Sequence, residues 1–209
     1  MDQSTERIGF GKGRLESLSD GIFAFAMTLL AFGVGYPFTI KGISAAAIGD
    51  YIVSLYPDFI HYIIAFVIVA AFWMIHHMQS HHIKFVDRAF LWLNILALMF
   101  IALIPFSSSI AGDFPNVPLT ALVFEVNLLA AGLLFHVQWQ YATKDHYLVD
   151  KNLSPSVIRS GKELTLVIPV FSCAGIVLAL LNIPYSAGVY LFIPLFLLFR
   201  YIGPLKLEF

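Results

Sequence analysis

Four of the chain's seven histidines stand within HHMQSHH at 76–82. His77 and His81 are four residues apart there, a spacing that sets two imidazoles on one helical face, where a metal ion can bridge them. No cysteine or acidic ligand sits beside them in that segment. A b-type haem needs histidines on facing helices near mid-membrane, and His61 and His136 are the only loose candidates. Glu125 and Asn127 offer a third chemistry, because they interrupt an apolar run. A carboxylate in such a place holds a proton or a cation, or is hydrogen-bonded at a helix contact. A fourth stretch is RLESLSDGIFAFAMTLLAFGVGY at 14–36, where an arginine, a glutamate, two serines and an aspartate crowd the approach to an apolar run that carries a single threonine, Thr28.

What these groups do depends on the solvent around them. Of 209 residues, 59% are hydrophobic and only 12% charged, with a mean hydropathy of +0.84. A water-soluble domain carries about a quarter charged residues, so the composition places the chain in a membrane. Crossing the hydrocarbon core takes about 20 mostly apolar residues. Six stretches qualify, at roughly 19–38, 59–78, 89–111, 117–139, 164–183 and 185–203, and the whole of 1–209 is expected to form one six-helix domain. With the N-terminus in the cytoplasm, Lys41 alone of the twelve Lys and Arg falls outside, which is the asymmetry of the positive-inside rule. Both termini are therefore expected to be cytoplasmic, and His61 and His136 fall on opposite sides of the membrane. The start MDQSTERIGFGKGRLESLSD is too polar for a cleavable signal peptide, so the first apolar run is expected to stay in the mature protein. Residues 39–58 read as a short amphipathic piece outside, 112–118 as a turn and 142–163 as the longest inside loop. Pro169 and Pro194 are expected to kink the last two helices.

In the first helix, at about 100° per residue, Phe25, Thr28, Leu29 and Phe32 follow the i, i+3, i+4, i+7 pattern and form one stripe. Asp20 lies about 140° away from Phe25, on nearly the opposite side. A carboxylate entering the bilayer needs a cation or hydrogen-bond donors from its neighbours. The candidates are Arg14, the group Trp73, His76 and His77 on the second span, and Asn94 on the third.

Arg14-Leu-Glu-Ser-Leu18-Ser19-Asp20 resembles the RxxxFSD motif that opens the first helix of the transmembrane protein 175 potassium channels, with Leu18 where that family usually has phenylalanine. The resemblance continues through GIFAFAMTLL, through Trp73-Met-Ile-His76-His77, and through LWLN and LIPF on the third span. It implies an all-helical membrane subunit whose first helix lines a central pore. Prokaryotic members carry one repeat and form tetramers, whereas two-repeat animal relatives form dimers. The motif occurs once here, so a homotetramer is implied. These channels lack the TVGYG filter of ordinary potassium channels, as does this chain. Carried over residue by residue, the hydrophobic constriction falls on Phe25, Leu29 and Phe32 and the threonine layer on Thr28, the same stripe that periodicity gives. The motif and helix-packing network falls on Arg14, Leu18, Ser19, Asp20, Trp73, His76, His77 and Asn94.

The expectation is passive, potassium-selective conduction in the cell membrane, with the chain itself, the lipid bilayer and potassium ions as partners. No cofactor and no bound metal are expected. The net charge of -1 gives no field for nucleic acid. No nucleophile–base pair or phosphate-cradling loop stands out, and GFGKG has no Walker pattern, so no enzymatic activity is expected. The single cysteine, Cys173, reads as a buried small hydrophobe. A proton-coupled ion carrier using Glu125 is the alternative, followed by a histidine-based metal or haem protein. Asp58 and Asp113 near the outer mouth either gather cations or are solvated loop charges.

Overall fold

The computed structural model describes residues 11–35, 45–183 and 186–193. These form six α-helices and no strands: α1 (Lys12–Phe32), α2 (Ala45–Ser54), α3 (Tyr56–His82), α4 (Arg88–Asp113), α5 (Pro118–Thr143) and α6 (Pro155–Leu180). All but the short α2 are long and apolar enough to cross a membrane. A helix apolar all round is stable only where lipid or protein covers every side, and this chain is a membrane protein. The sixth expected span, 185–203, lies mostly outside the described residues, as does Pro194. Within it only 186–193 are seen, as a 3-10 turn over Ser186–Leu191 and the two residues after it.

The apolar runs fell on five of these helices but missed their polar ends, and the first was expected to reach 38, past the end of α1. α1 starts at Lys12 rather than near 19 and closes at Phe32, where the Gly33 N–H turns back to Leu30 O at 3.1 Å. α6 starts at Pro155, nine residues before the expected 164, so half of the presumed inside loop is helix. The start signals there are local. Ser154 Oγ accepts from Val157 N, and proline at the first helical position loses no hydrogen bond. At α4 the same role falls to Asp87, whose carboxylate accepts from Phe90 N at 2.8 Å.

The α5–α6 pair is the most extensively packed in the bundle, followed by α4–α5. Its contact is built on glycine. A Cβ on Gly161 would strike the indole of Trp139, and one on Gly175 would strike the carboxyl of Glu125. On the other helix, a Cβ on Gly132 would lie 2.7 Å from Cδ of Pro169. On α5 the three positions, 125, 132 and 139, are seven residues apart, and on α6 their partners are 175, 169 and 161. The helices thus mesh antiparallel, each bulky group seated on a bare stretch of backbone, as helices do where lipid removes the hydrophobic incentive to associate. Pro169 breaks a hydrogen bond within α6, and Gly132 gives its ring somewhere to go. Pro105 does the same inside α4, where Asn127 of α5 donates to the Phe100 carbonyl at 3.2 Å, in the turn the proline disturbs.

Every described lysine and arginine belongs to one end of the bundle: Lys12 and Arg14 at the start of α1, the rest in or beside the α3–α4 and α5–α6 connections. There Ile83 bridges Val149, Lys84 N donates to Leu148 O at 2.8 Å, and the Tyr141 hydroxyl donates to Asp87 at 2.6 Å. Leu15 of α1 sits in the small apolar cluster beneath this clasp, with Ile83, Phe90, Ala142, Leu148 and Val149.

Adding a methyl group at either tight glycine tests the α5–α6 mesh. Gly161→Ala and Gly175→Ala are expected to lose about 1–3 kcal/mol through overpacking, read as a lowered thermal unfolding midpoint in detergent. Gly49→Ala on α2, where nothing lies within 4 Å, is the control and is expected to be neutral or slightly stabilising.

Candidate functional site

α1 is the helix on which most of the predicted residues fall, and it has two unlike faces. One face buries Leu15, Ser19, Phe23, Ala26 and Leu30 against α4 and α3. The other is bare. Arg14, Leu18, Gly21, Phe25, Thr28 and Phe32 are all exposed, and their spacings run four, three, four, three, four. Phe25 is 64% and Phe32 71% exposed. Leu29 is only half-buried and stands beside this line. At about 100° per residue Leu29 lies about 40° from Phe25 on one side and Thr28 about 60° on the other, and the packing of α1 on its neighbours covers the Leu29 side more.

A single buried polar contact sets the rotation of α1. Ser19 is fully buried, donates its hydrogen to Leu15 O at 2.9 Å, and accepts from Asn94 Nδ2 of α4 at 3.1 Å. One residue on, Asp20 accepts a hydrogen bond from the indole of Trp73 on α3 at 3.0 Å, and His77 stacks on that indole with ring centroids 5.4 Å apart. His76 takes a different place: it is buried, packs against Phe23 and Phe135, and has Ser80 Oγ 3.4 Å from Nε2. The structure therefore joins Ser19 to Asn94, and Asp20 to Trp73 and His77. It leaves the Arg14 guanidinium on the exposed face, without a hydrogen bond or ion pair among the described residues. Lys12, Glu16, Asp20, His77 and His81 line an open recess beside this network, where Lys12 and Glu16 form an ion pair at 3.3 Å.

The Thr28 hydroxyl donates to Ala24 O at 2.8 Å. Its hydrogen is therefore spent within the helix, and what it presents on the bare face is oxygen lone pairs.

The remaining polar residues have local partners. His81 meets His82 edge-on, and among the described residues no group of three His, Cys, Asp or Glu converges to hold a metal ion. Both nitrogens of His136 are engaged, Nδ1 by Thr165 at 2.8 Å and Nε2 by Gln140 at 2.6 Å, while His61 lies at the far end of the bundle. Asp58 and Asp113 line one small recess with His61 and Ser108, beside Leu30 and Gly33 at the end of α1. Cys173 is exposed on the outer side of α6, which corrects the expectation of a buried one: in a bilayer protein the apolar side of a helix is often its outside. Glu125 is fully buried and hydrogen-bonded to Tyr190, a residue that no sequence signal singles out. The α5–α6 glycines also escaped notice, although Gly161 and Gly175, fourteen residues apart on one helix, were a readable signal.

Comparisons with known proteins find likenesses among ion channels. Residues 14–105 match the family model described as endosomal/lysosomal potassium channel TMEM175. A potassium channel of Streptomyces collinus is 27% identical over 154 residues, 72% of this chain and 73% of that protein. The endosomal/lysosomal proton channel TMEM175 of Homo sapiens is 25% identical over 176 residues, 79% of this chain and 34% of that one. The crystal structure of a lysosomal potassium-selective channel TMEM175 homolog from Chamaesiphon minutus shares the fold, with a TM-score of 0.76 at 23% identity over 92% of this chain and 98% of that chain. The matched stretch, a little under half of the chain, contains most of α1, Trp73, the histidine pair and Asn94, and in it the chain is similar to the TMEM175 channels.

Proposed function

We propose that the chain is one subunit of a potassium-conducting channel in the cell membrane, a homotetramer in which four copies of α1 surround a central pore, with both termini cytoplasmic. The observation that carries this reading is the bare line on α1. Phe25, Thr28 and Phe32 stand in line on a side of α1 that no other described helix covers, where copies of the same helix can meet. Phe25 and Phe32 then form two apolar rings about 10 Å apart along the axis, with Thr28 between them. Such rings resist wetting and so limit flow. Four Thr28 oxygens, their hydrogens turned back to Ala24, offer lone pairs to a cation that has shed part of its water. Leu29 backs the constriction from the side. The lysines and arginines gathered at the clasp end support the orientation. A proton-coupled carrier is the second reading, favoured by the buried carboxyl of Glu125 and by the proton channel among the relatives. Proteoliposomes loaded with potassium separate the two: a channel follows the potassium gradient alone, and a carrier needs a coupled proton gradient.

The contact of Asp20 on α1 with Trp73 on α3 acts on assembly rather than on ion choice. Asp20→Ala leaves the Trp73 indole without its acceptor, and the expected result is loss of tetramer or of open probability. Ion preference in any residual current should be unchanged. Cross-linking and reversal potentials check both halves.

The rings and the hydroxyl should separate cleanly. Phe25→Ala or Phe32→Ala is expected to raise single-channel conductance and weaken discrimination. Thr28→Val keeps the width but removes the oxygens, and should abolish potassium preference with little change in conductance. If all three match the parent in conductance and reversal potential, α1 does not line the pore.

A further inference from the structure

The deepest polar group of the bundle has no part in that reading. Glu125, on α5, is fully buried, and its carboxyl rests on the bare backbone of Gly175 on α6. Among the described residues its one hydrogen-bond partner is the hydroxyl of Tyr190, itself fully buried in the 3-10 segment Ser186–Leu191 and held between Phe124 and Phe171. Ser172 Oγ of α6 lies 3.0 Å from the same hydroxyl. The second carboxyl oxygen, Oε1, is buried and has no partner. No lysine, arginine or histidine among the described residues forms a hydrogen bond or ion pair with the carboxyl; the titratable group facing it is Tyr190 on the segment, and Cys173, next to Ser172 on α6, is exposed on the outer side of that helix.

The hydrogens can be placed in two ways. In an ionised carboxylate, Tyr190 donates to Oε2, and Oε1 keeps a share of a full negative charge with no donor at all. In a neutral acid, the hydrogen on Oε2 is donated to the Tyr190 oxygen, Tyr190 passes its own hydrogen to Ser172, and the bare Oε1 is only a carbonyl oxygen. The hydrogens of Glu125 and Tyr190 then both have acceptors, and no buried charge is left bare. The second arrangement avoids the larger desolvation cost.

We propose that the Glu125 carboxyl is a proton-binding site inside the subunit, and that the bound proton keeps residues 186–193 docked on α5 and α6. Removal of the proton leaves a charge that nothing in the cluster can meet. Water must then reach Glu125, and the element free to yield is the segment carrying Tyr190, because Gly175 and Ser172 belong to the meshed α5–α6 pair. The inference does not depend on potassium conduction.

Two measurements on the full chain in bilayers test it. The infrared spectrum of the parent should contain the carbonyl stretch of a protonated carboxyl, and Glu125→Gln should remove it. The amide of glutamine reproduces the donor and acceptor of the neutral acid, so this variant should fold and keep its segment docked. Hydrogen–deuterium exchange at 186–193 is then compared between the two proteins at matched pH. Protection should be alike at low pH and lost at high pH in the parent alone. Tyr190→Phe should lower protection at every pH. The proposal is overturned if the parent lacks the protonated band, if parent and Glu125→Gln lose protection together, or if Tyr190→Phe leaves the segment as protected as before.

Discussion

The rotation of α1 about its own axis is the constraint on which the rest depends. Large apolar side chains stand on every side of this helix, so hydrophobicity alone does not say which face turns inward. The choice is made by something small. Ser19, with no room for anything larger, spans the gap to Asn94, and Phe23, Ala26 and Leu30 fall into line above it. A turn of about 100° would put Asp20 where Ser19 is and bury a carboxylate against the Asn94 amide, away from water. The polar pair costs little where it is satisfied and much where it is displaced. That asymmetry is what specifies a face, and with it the residues left bare.

The membrane class, the first five spans and the cluster of residues around α1 were all legible in the sequence, because long apolar runs and charge asymmetry are signals a bilayer imposes without reference to partners. The helix ends were less legible. Lys12 to Leu18 and Pro155 to Glu163 are polar enough to read as loop, yet they continue as helix beyond the apolar core. Partnerships inside the network were not legible at all. Trp73, His76 and His77 lie within five residues, and which of them meets Asp20 depends on whether α3 presents one side or the next. The structure gives Asp20 to Trp73, with His77 as a flat support and His76 turned into the core. Leu29 illustrates the same limit: the helix period sets it and Thr28 on either side of Phe25, and only the neighbouring helices decide which side is covered.

Two kinds of contact thus divide the subunit. α5 and α6 are meshed through glycines, a contact with no tolerance for side-chain growth and little for sliding. α1 is held by side chains meeting side chains, at Ser19, Asp20 and Leu15, a looser attachment with more freedom to tilt. A helix that lines a pathway benefits from the second kind and is best anchored to a body built from the first.

The long reach of the Ser19–Asn94 bond has a consequence for how the protein is made. Chains emerge from the ribosome N-terminus first. α1 therefore enters the bilayer while the residues that will receive it, Trp73, Asn94 and Phe135, are still unmade. In that interval Ser19 and Asp20 have water and lipid headgroups as their only company. Their place near the mouth of the helix, rather than at its middle, lets the first span reside in the membrane alone before its seat exists. The arginine, glutamate, serines and aspartate at that mouth thus answer two demands at different times, first for a berth at the water boundary and later for a register against α3 and α4.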